Sequence, residues 1–385
     1  MIKADFAGSP SGRLVSTERG QWAFVPNPLP PELDLGPLAA PLGHASRLLG
    51  ELDGIARTLV DPMTLVRPLQ AREALTSSSM EGTYTSLDDL LLVDAGAPDT
   101  DRAPDTQEVV NYRRALSAAV ASLNDVPLSL RTLRDAHRAL LHGVRRHRGS
   151  TAQPGEFKTH QNFIGARDIE NARFIPPPPA ETQTCLSQLE RYMHRDDAGG
   201  IPDLIEAALI HYQFETIHPF ADGNGRVGRM LITLHLIMRG ALRQPILYLS
   251  PTLEKRKDAY IDLMYDVSRR GTWTEWIAFF LDVVAEASRS AIATADTLLD
   301  LQKDYRSRAS GAGRSSNLLT IVDHLFVRHA VTIPSVAALL GVTYRAAQLN
   351  VETLVQLGIL SEFRGLSNPK FFMANGIRDA INQSL

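Results

Sequence analysis

The sequence predicts a mainly α protein with one short β-hairpin near its middle and a smaller mixed unit at its C-terminal end. Three observations predict it. Apolar residues recur at helical spacing over most of 38–309. Only 163–175 reads as a pair of short strands. A Ser/Gly/Arg-rich break at 307–316 sets off 317–385, where three helical stretches precede two strands. A chain of 385 residues is long enough for two or three domains. The expected division is 1–110, 111–310 and 311–385.

Along the chain, 1–20 mixes charge, Gly and Ser without an apolar core and reads as mobile, with no signal peptide. Five prolines in 26–38 predict an extended arm, because proline lacks the N–H that a helix or inner strand needs. Leu48, Leu49, Leu52 and Ile55 share a helix face, and a further helix is expected over 66–80. An acidic, breaker-rich loop covers 94–105. Helices are expected near 106–122, 129–143, 182–195 and 203–215. Others follow near 225–240, 254–270 and 273–309. Between the second and third of these, Phe163, Ile164 and Gly165 face Ala172, Arg173, Phe174 and Ile175 across a polar turn, and the prolines at 176–179 stop the second strand.

Bulk properties narrow the function. A hydrophobic fraction of 44%, a charged fraction of 22% and a net charge of -3 are ordinary for a globular protein and give no global pull toward nucleic acid or acidic membranes. No apolar stretch is long enough to span a bilayer, so no membrane partner is expected. Cys185 is the sole cysteine, which excludes an intrachain disulfide and fits a reducing, cytoplasmic setting.

The chemistry concentrates in HPFADGNGRVGR over 218–229, a loop running into a helix. Backbone N–H groups at a helix start lack intrahelical partners and suit phosphate oxygens. Gly223 and Gly225 keep the backbone open, and Asn224 can donate to an oxygen. Asp222 offers a hard oxygen ligand for a magnesium ion already held by phosphates. Arg226 and Arg229 share a helix face and can reach successive phosphates. An imidazole such as His218 titrates near neutrality and can take a proton from an attacking hydroxyl. Gly223, Gly225 and Gly228 also satisfy the spacing of a dinucleotide fingerprint. That fingerprint needs a preceding strand and an acid about 20 positions on, and here a helix precedes and the next acid is Glu254. No Gly-Lys-Ser/Thr follows, which excludes a P-loop. His218 and Asp222 as metal ligands would lack a third soft ligand nearby.

The string resembles the motif of the Fic (filamentation induced by cyclic AMP) family, H-x-F-x-[DE]-G-N-G-R-x-x-R, at all eight specified positions: His218, Phe220, Asp222, Gly223, Asn224, Gly225, Arg226 and Arg229. The resemblance implies a Fic-type helical core and transfer of AMP from ATP to a Ser, Thr or Tyr hydroxyl of a protein. By position it implies His218 as base and Asp222 as the Mg2+ ligand. Asn224 and the glycine amides would hold the α- and β-phosphates, Arg226 the β-phosphate and Arg229 the γ-phosphate. Phe220 would anchor the loop. Relatives that use other phosphate donors or remove AMP leave those reactions as alternatives. The hairpin resembles the family's flap, with Phe163, Ile164 and Gly165 pairing backbone to backbone with a target segment. The segment 77–82 resembles the family's inhibitory motif, [ST]-x-x-x-E-[GN], with Ser77, Glu81 and Gly82 at its specified positions. Glu81 would pair with Arg229 and hold the enzyme off. Tyr260, with Tyr248 and Tyr265, is a candidate for stacking on adenine, although aromatics at helical spacing are also core formers.

The C-terminal stretch resembles a winged helix: helices near 318–328, 333–340 and 343–357, a turn at Gly341, and strands at 360–364 and 370–373 around a wing. Bound to DNA, it would present Thr343, Tyr344, Arg345 and Gln348. Its six Lys/Arg against four Asp/Glu over 314–385 are a thin basic footprint, and a protein-contact role competes equally. The expected partners are therefore ATP, a protein substrate that can include the enzyme itself, DNA as one option for the C-terminal unit and a second copy of the chain as another. Three function classes compete: an autoinhibited enzyme, a DNA-binding regulator with a nucleotide-sensing core, and an inert scaffold. An intact His218 with both arginines argues against the scaffold.

Overall fold

The computed structural model describes residues 1–98, 104–144, 153–195, 200–312, 315–367 and 369–382. Residues 99–103 of the 94–105 loop, part of the 307–316 break and one wing position, Asn368, lie outside the described residues. A 3-10 turn at Lys3–Phe6 precedes a hairpin of β1 (Gly12–Ser16) and β2 (Trp22–Pro26). Helices α1 (Ala39–Thr58), α2 (Met63–Ser79), α3 (Leu87–Asp94), α4 (Pro104–Ser122) and α5 (Leu130–Leu140) follow. Then come α6 (Pro179–Met193), α7 (Asp203–Ile217), α8 (Asn224–Met238), α9 (Ser250–Lys255), α10 (Lys257–Arg270) and α11 (Trp273–Ser310). The chain continues through α12 (Ser315–Leu325), β3 (Ala330–Thr332), α13 (Ile333–Leu340), α14 (Tyr344–Gln356), β4 (Ser361–Ser367), β5 (Lys370–Met373) and α15 (Asn375–Asn382). The protein is mainly α, as expected.

Two compact units emerge, and they regroup the expected segments. One comprises 1–50, 111–245 and 249–287; the other comprises 51–110, 246–248 and 288–385. In the first, α7 and α8 pack against each other with nearly every residue buried, α6 covers α7 and α5 covers α8. A helix buried on all faces carries no single amphipathic stripe, and α7 buries Glu206, His211 and Gln213 as well as its apolar residues. Asn111 caps the end of α5, its amide donating to the carbonyls of Leu140 (3.1 Å) and His142 (2.7 Å).

The expectation of a mobile 1–20 is corrected. Phe6 is buried with Phe24 and Phe174, ring centroids 5.6 and 6.0 Å away, and Tyr265 meets it edge-on at 5.4 Å. Burying such rings is worth a few kcal/mol each. β1 and β2 pair antiparallel from Gly12↔Pro26 to Ser16↔Trp22. A side chain at position 12 would strike the Val25 carbonyl and the Phe24 ring, so glycine is required there.

In the second unit, α15 packs on α2 and α3, and α3 packs on β3. Arg72 reaches Ser290 (3.1 Å) and Arg378 faces Asp88 (3.8 Å). The antiparallel sheet has order β3-β5-β4. Thr332 and Ser335 form a capping box at the start of α13, and Gly341 ends that helix in the left-handed conformation. The two strands expected here exist, with β3 and α15 in addition.

Candidate active site

α7 ends at Ile217, and His218 follows with φ 50° and ψ 60°, the one non-glycine residue with positive φ among the described residues. Such a conformation costs about 1 kcal/mol or more in a residue with a side chain and persists only when its surroundings hold it. Those surroundings are dense. Lys158 donates through Nζ to the Ile217 carbonyl (3.0 Å) and through its backbone N–H to the Pro219 carbonyl (2.8 Å). Asn162 donates to the carbonyls of His218 (2.9 Å) and Phe220 (3.0 Å). Phe220 is fully buried, stacked on His137 at 3.8 Å and flanked by Phe157, and so serves as the anchor its motif position implied.

His137 closes the loop from beneath. Its Nδ1 accepts from Gly155 N–H (2.9 Å), which leaves Nε2 to donate to the Asp222 carbonyl (3.0 Å). Burial pushes its imidazole down to about 4, against the opposing pull of that carbonyl, so it is a neutral strut. Asn224 was expected to donate to a phosphate. Its buried side chain instead donates to the Phe220 carbonyl (2.8 Å) and accepts from the Phe220 N–H (2.8 Å), a staple across the loop.

The imidazole of His218 sits 3.2 Å from the Glu215 carbonyl through Nδ1, with the Glu215 carboxylate 3.9 Å away. A proton on Nδ1 donates to that carbonyl and leaves the lone pair on Nε2, the tautomer that a general base requires. Glu215 lies over Gly228, where any Cβ would meet its Oε1 at 2.0 Å, so Gly228 permits this close approach of α7 and α8. Gly223 is the left-handed N-cap of α8 with φ 79°. The first helical bond runs from Val227 N–H to Gly223 O, so the N–H groups of Asn224, Gly225 and Arg226 have no intrahelical acceptor. Arg226 is fully buried with its guanidinium 3.7 Å from Asp222, and Arg229 is buried one turn on.

Asp222 is partly exposed and its Oδ1 accepts from Gly223 N–H (2.6 Å). Among the described residues no cluster of three His, Cys, Asp or Glu could hold a metal. A single carboxylate with one oxygen still open fits Mg2+ only as an ion that arrives with phosphates, which is how that cation prefers to be held.

The flap is smaller than two strands. A single antiparallel bridge joins Ile164 and Phe174, because the chain turns away on either side of it. Gly165 has φ 83°, and a Cβ there would meet that of Arg173 at 2.9 Å. Phe163 and Ile164 lean on clusters that include Ala23, Ala172 and Ile175, and Phe24 and Phe174 respectively. Phe24 N–H donates to the Ile175 carbonyl (2.9 Å), so the N-terminal hairpin braces the flap.

Tyr260 does not present an open aromatic face. It is buried beside Trp276, and its hydroxyl meets His211 Nε2 at 2.8 Å while His211 Nδ1 meets the Gly228 carbonyl at 3.0 Å. Tyr248 is buried and Tyr265 belongs to the Phe6 cluster. All three aromatics are packing residues, the alternative their helical spacing allowed.

Ser77, Glu81 and Gly82 lie in the other compact unit. There Gly82 N–H bonds to Ser79 O (2.8 Å) and Thr83 N–H to Ser78 O (3.0 Å), with Gly82 at φ 79°. This is a Schellman-type stop, in which Glu81 follows Met80, the C-cap of α2.

The comparisons with known proteins agree with this geometry. The model of the Fic/DOC family N-terminal region matches residues 39–121, and that of the Fic/DOC family matches 127–236. The chain belongs to the Fic/DOC family. It is 28% identical over 134 residues to the protein adenylyltransferase Fic of Drosophila sechellia, covering 34% of this chain and 25% of that protein. The chain thus spans about a quarter of the length of the curated relatives it matches. A crystal structure of a Fic family protein from Desulfovibrio desulfuricans superposes with a TM-score of 0.59 at 20% identity, covering 90% of this chain and 98% of that one. A Fic domain containing signaling protein from Bacteroides thetaiotaomicron gives 0.53 at 20%, covering 66% and 97%. At these identities the two structures establish the Fic fold.

Four residues of the site carried no sequence signal. His137, Lys158, Asn162 and Glu215 are not in the motif, and three of them precede it by more than 50 positions. Only Glu215, three residues before His218 on a helix, stood where spacing could have suggested it.

Proposed function

We propose that this Fic/DOC family member is a protein adenylyltransferase. The observation that carries the reading is His218, held in a left-handed turn with Nδ1 on the Glu215 carbonyl, at the head of a helix whose first N–H groups lack intrahelical acceptors. A target hydroxyl would lose its proton to Nε2 as its oxygen bonds to the α-phosphorus of ATP. The bond to the bridging oxygen breaks in line, and pyrophosphate leaves. The N–H groups of Asn224, Gly225 and Arg226 would hold phosphate oxygens, and Arg226 and Arg229 would balance the charge developing on the leaving group. Asp222 would hold Mg2+ through its open oxygen, and the ion would supply Lewis-acid neutralisation of the phosphates. Flap residues Phe163, Ile164 and Gly165 would pair with an extended target segment.

The same reading includes autoinhibition by Glu81 on Arg229. A carboxylate at a helix C-terminus is disfavoured by the dipole by about 0.3–1 kcal/mol, and a guanidinium partner offsets that. The C-terminal order of α12, β3, α13, α14, β4 and β5 supports the winged-helix reading. For contact with DNA, Tyr344 and Arg345 are exposed and Gln348 is half-buried, while the Thr343 hydroxyl caps α14 by accepting from Ala346 N–H (3.3 Å). The deciding experiment is incubation of the full chain with α-labelled ATP and Mg2+. Label on the protein or on lysate proteins supports adenylyl transfer. Absence of label from the wild type and from Glu81→Gly alike rejects it.

A further inference from the structure

The backbone of the catalytic loop is held in an unusual way. Four consecutive carbonyls, those of Ile217, His218, Pro219 and Phe220, accept hydrogen bonds from Lys158 and Asn162, the last of them sharing its oxygen with the Asn224 amide. Neither residue belongs to the motif. The two are joined to each other, Lys158 Nζ donating to Asn162 Oδ1 at 2.9 Å. That bond fixes the orientation of the amide, so that its NH2 group points at the loop. Lys158 is buried, and its amine sits at the C-terminal end of α7, where a cation is favoured by the helix dipole. Asn162 is followed at once by Phe163 and Ile164 of the flap.

A residue with a side chain does not keep positive φ unaided. Within α7 the His218 N–H still bonds to Phe214 O, but past that point the chain must leave the helix. A buried carbonyl of this loop left unsatisfied costs roughly 1–3 kcal/mol. A lysine and an asparagine four residues apart, entering from the flap side, satisfy all four.

We propose that Lys158 and Asn162 are positioning residues for the base: they hold His218 in its left-handed turn and tie it mechanically to the flap. They touch neither nucleotide nor target hydroxyl. The proposal rests on His218 being the base, and its test has a readout that does not need activity.

Amide hydrogen exchange of the full chain is measured for wild type, Asn162→Ala, Lys158→Met and Lys158→Arg, beside AMP transfer and ATP affinity in the same variants. Lys158→Met keeps the length of the side chain and removes its side-chain donors; Lys158→Arg keeps side-chain donors. Asn162→Ala and Lys158→Met are expected to raise exchange over 217–224 by about 5–10-fold, the loss of one or two hydrogen bonds, while α5 and α6 stay protected. AMP transfer should fall roughly 100-fold with ATP affinity within about 3-fold, since a base displaced by an ångström loses catalysis and not nucleotide contacts. Lys158→Arg should recover both the protection and most of the transfer. Unchanged exchange over 217–224 in both Asn162→Ala and Lys158→Met overturns the proposal, whatever happens to transfer. So does raised exchange with wild-type transfer, because the base then needs no clamp. Raised exchange in a protein that never transfers AMP, Glu81→Gly included, leaves the clamp as the holder of the turn and rejects the assigned reaction instead.

Discussion

His218 shows how much a single dihedral angle can matter. Its motif position nominates it as base, and the Nδ1 contact to the Glu215 carbonyl makes Nε2 the atom proposed to accept the proton. His218→Ala should lower AMP transfer by at least about 100-fold, the usual worth of a general base, while ATP affinity and thermal midpoint stay near wild type. Steady-state labelling beside calorimetric ATP binding checks this. Equal labelling by the variant would mean another group takes the proton. Asp222→Ala should abolish the Mg2+ stimulation of transfer, read as a flat response across a magnesium titration. Asn224 carries a different lesson. An amide in a phosphate-binding motif reads as a ligand, yet here it staples the loop, because it is buried within reach of both backbone groups of Phe220. Asn224→Ala should therefore destabilise the protein by about 1–3 kcal/mol, which denaturant titration would register.

At the scale of elements, the end of α2 is the informative one. Ser-rich strings ending in Glu-Gly are common, and the helix stop at Gly82 was legible because glycine alone adopts positive φ without strain. What Glu81 does there is the regulatory half of the proposed function. Holding a two-state equilibrium at 1:99 takes about 2.7 kcal/mol, half of what a full swing to 99:1 requires. Glu81→Gly should raise self-labelling by well over about 10-fold and tighten ATP binding. Arg229→Ala should not reproduce this, because it removes a phosphate ligand along with the lock. Label per enzyme in wild type, Glu81→Gly and Glu81→Gly/His218→Ala settles the matter: no rise in the single variant ends the inhibitory reading, and strong label in the double variant locates the activity elsewhere. The flap teaches the converse. Its two short strands shrink to one bridge, and it is braced by an N-terminal hairpin whose apolar run, Trp22 to Val25, the pattern reading passed over.

Across the whole molecule, buried ionisable groups set the response to pH. His137 and His211 are pushed down by burial to about 4 and about 3, against 6.5 when unfolded. Between those limits the unfolded chain binds protons that the native one does not, so stability falls as pH drops below 6.5. His137 alone accounts for about 3 kcal/mol by pH 4. Lys158 is pushed down to about 7 by burial, from 10.5. From pH 7 to 10.5 the unfolded state again holds the extra proton, so this group makes stability rise with pH by up to about 1.4 kcal/mol per unit. Urea titrations across pH 4–10 should show both slopes. Lys158→Met should flatten the alkaline one and leave the acid one, and an unchanged alkaline slope would place the proton on another group.

The sequence by itself determined the helical architecture, the order of most elements, the helix stops at Gly82 and Gly341 and the family motif at 218–229, because periodicity, glycine and a dense motif are local properties of the chain. It also carried the family. Only the tertiary structure decided that residues 1–20 form part of the core, that Tyr260 packs against His211, that 51–110 belongs with 288–385, and that His137, Lys158, Asn162 and Glu215 surround His218. Each of these depends on a contact between residues far apart in the chain or on which neighbour a buried polar group finds, and neither is written in spacing.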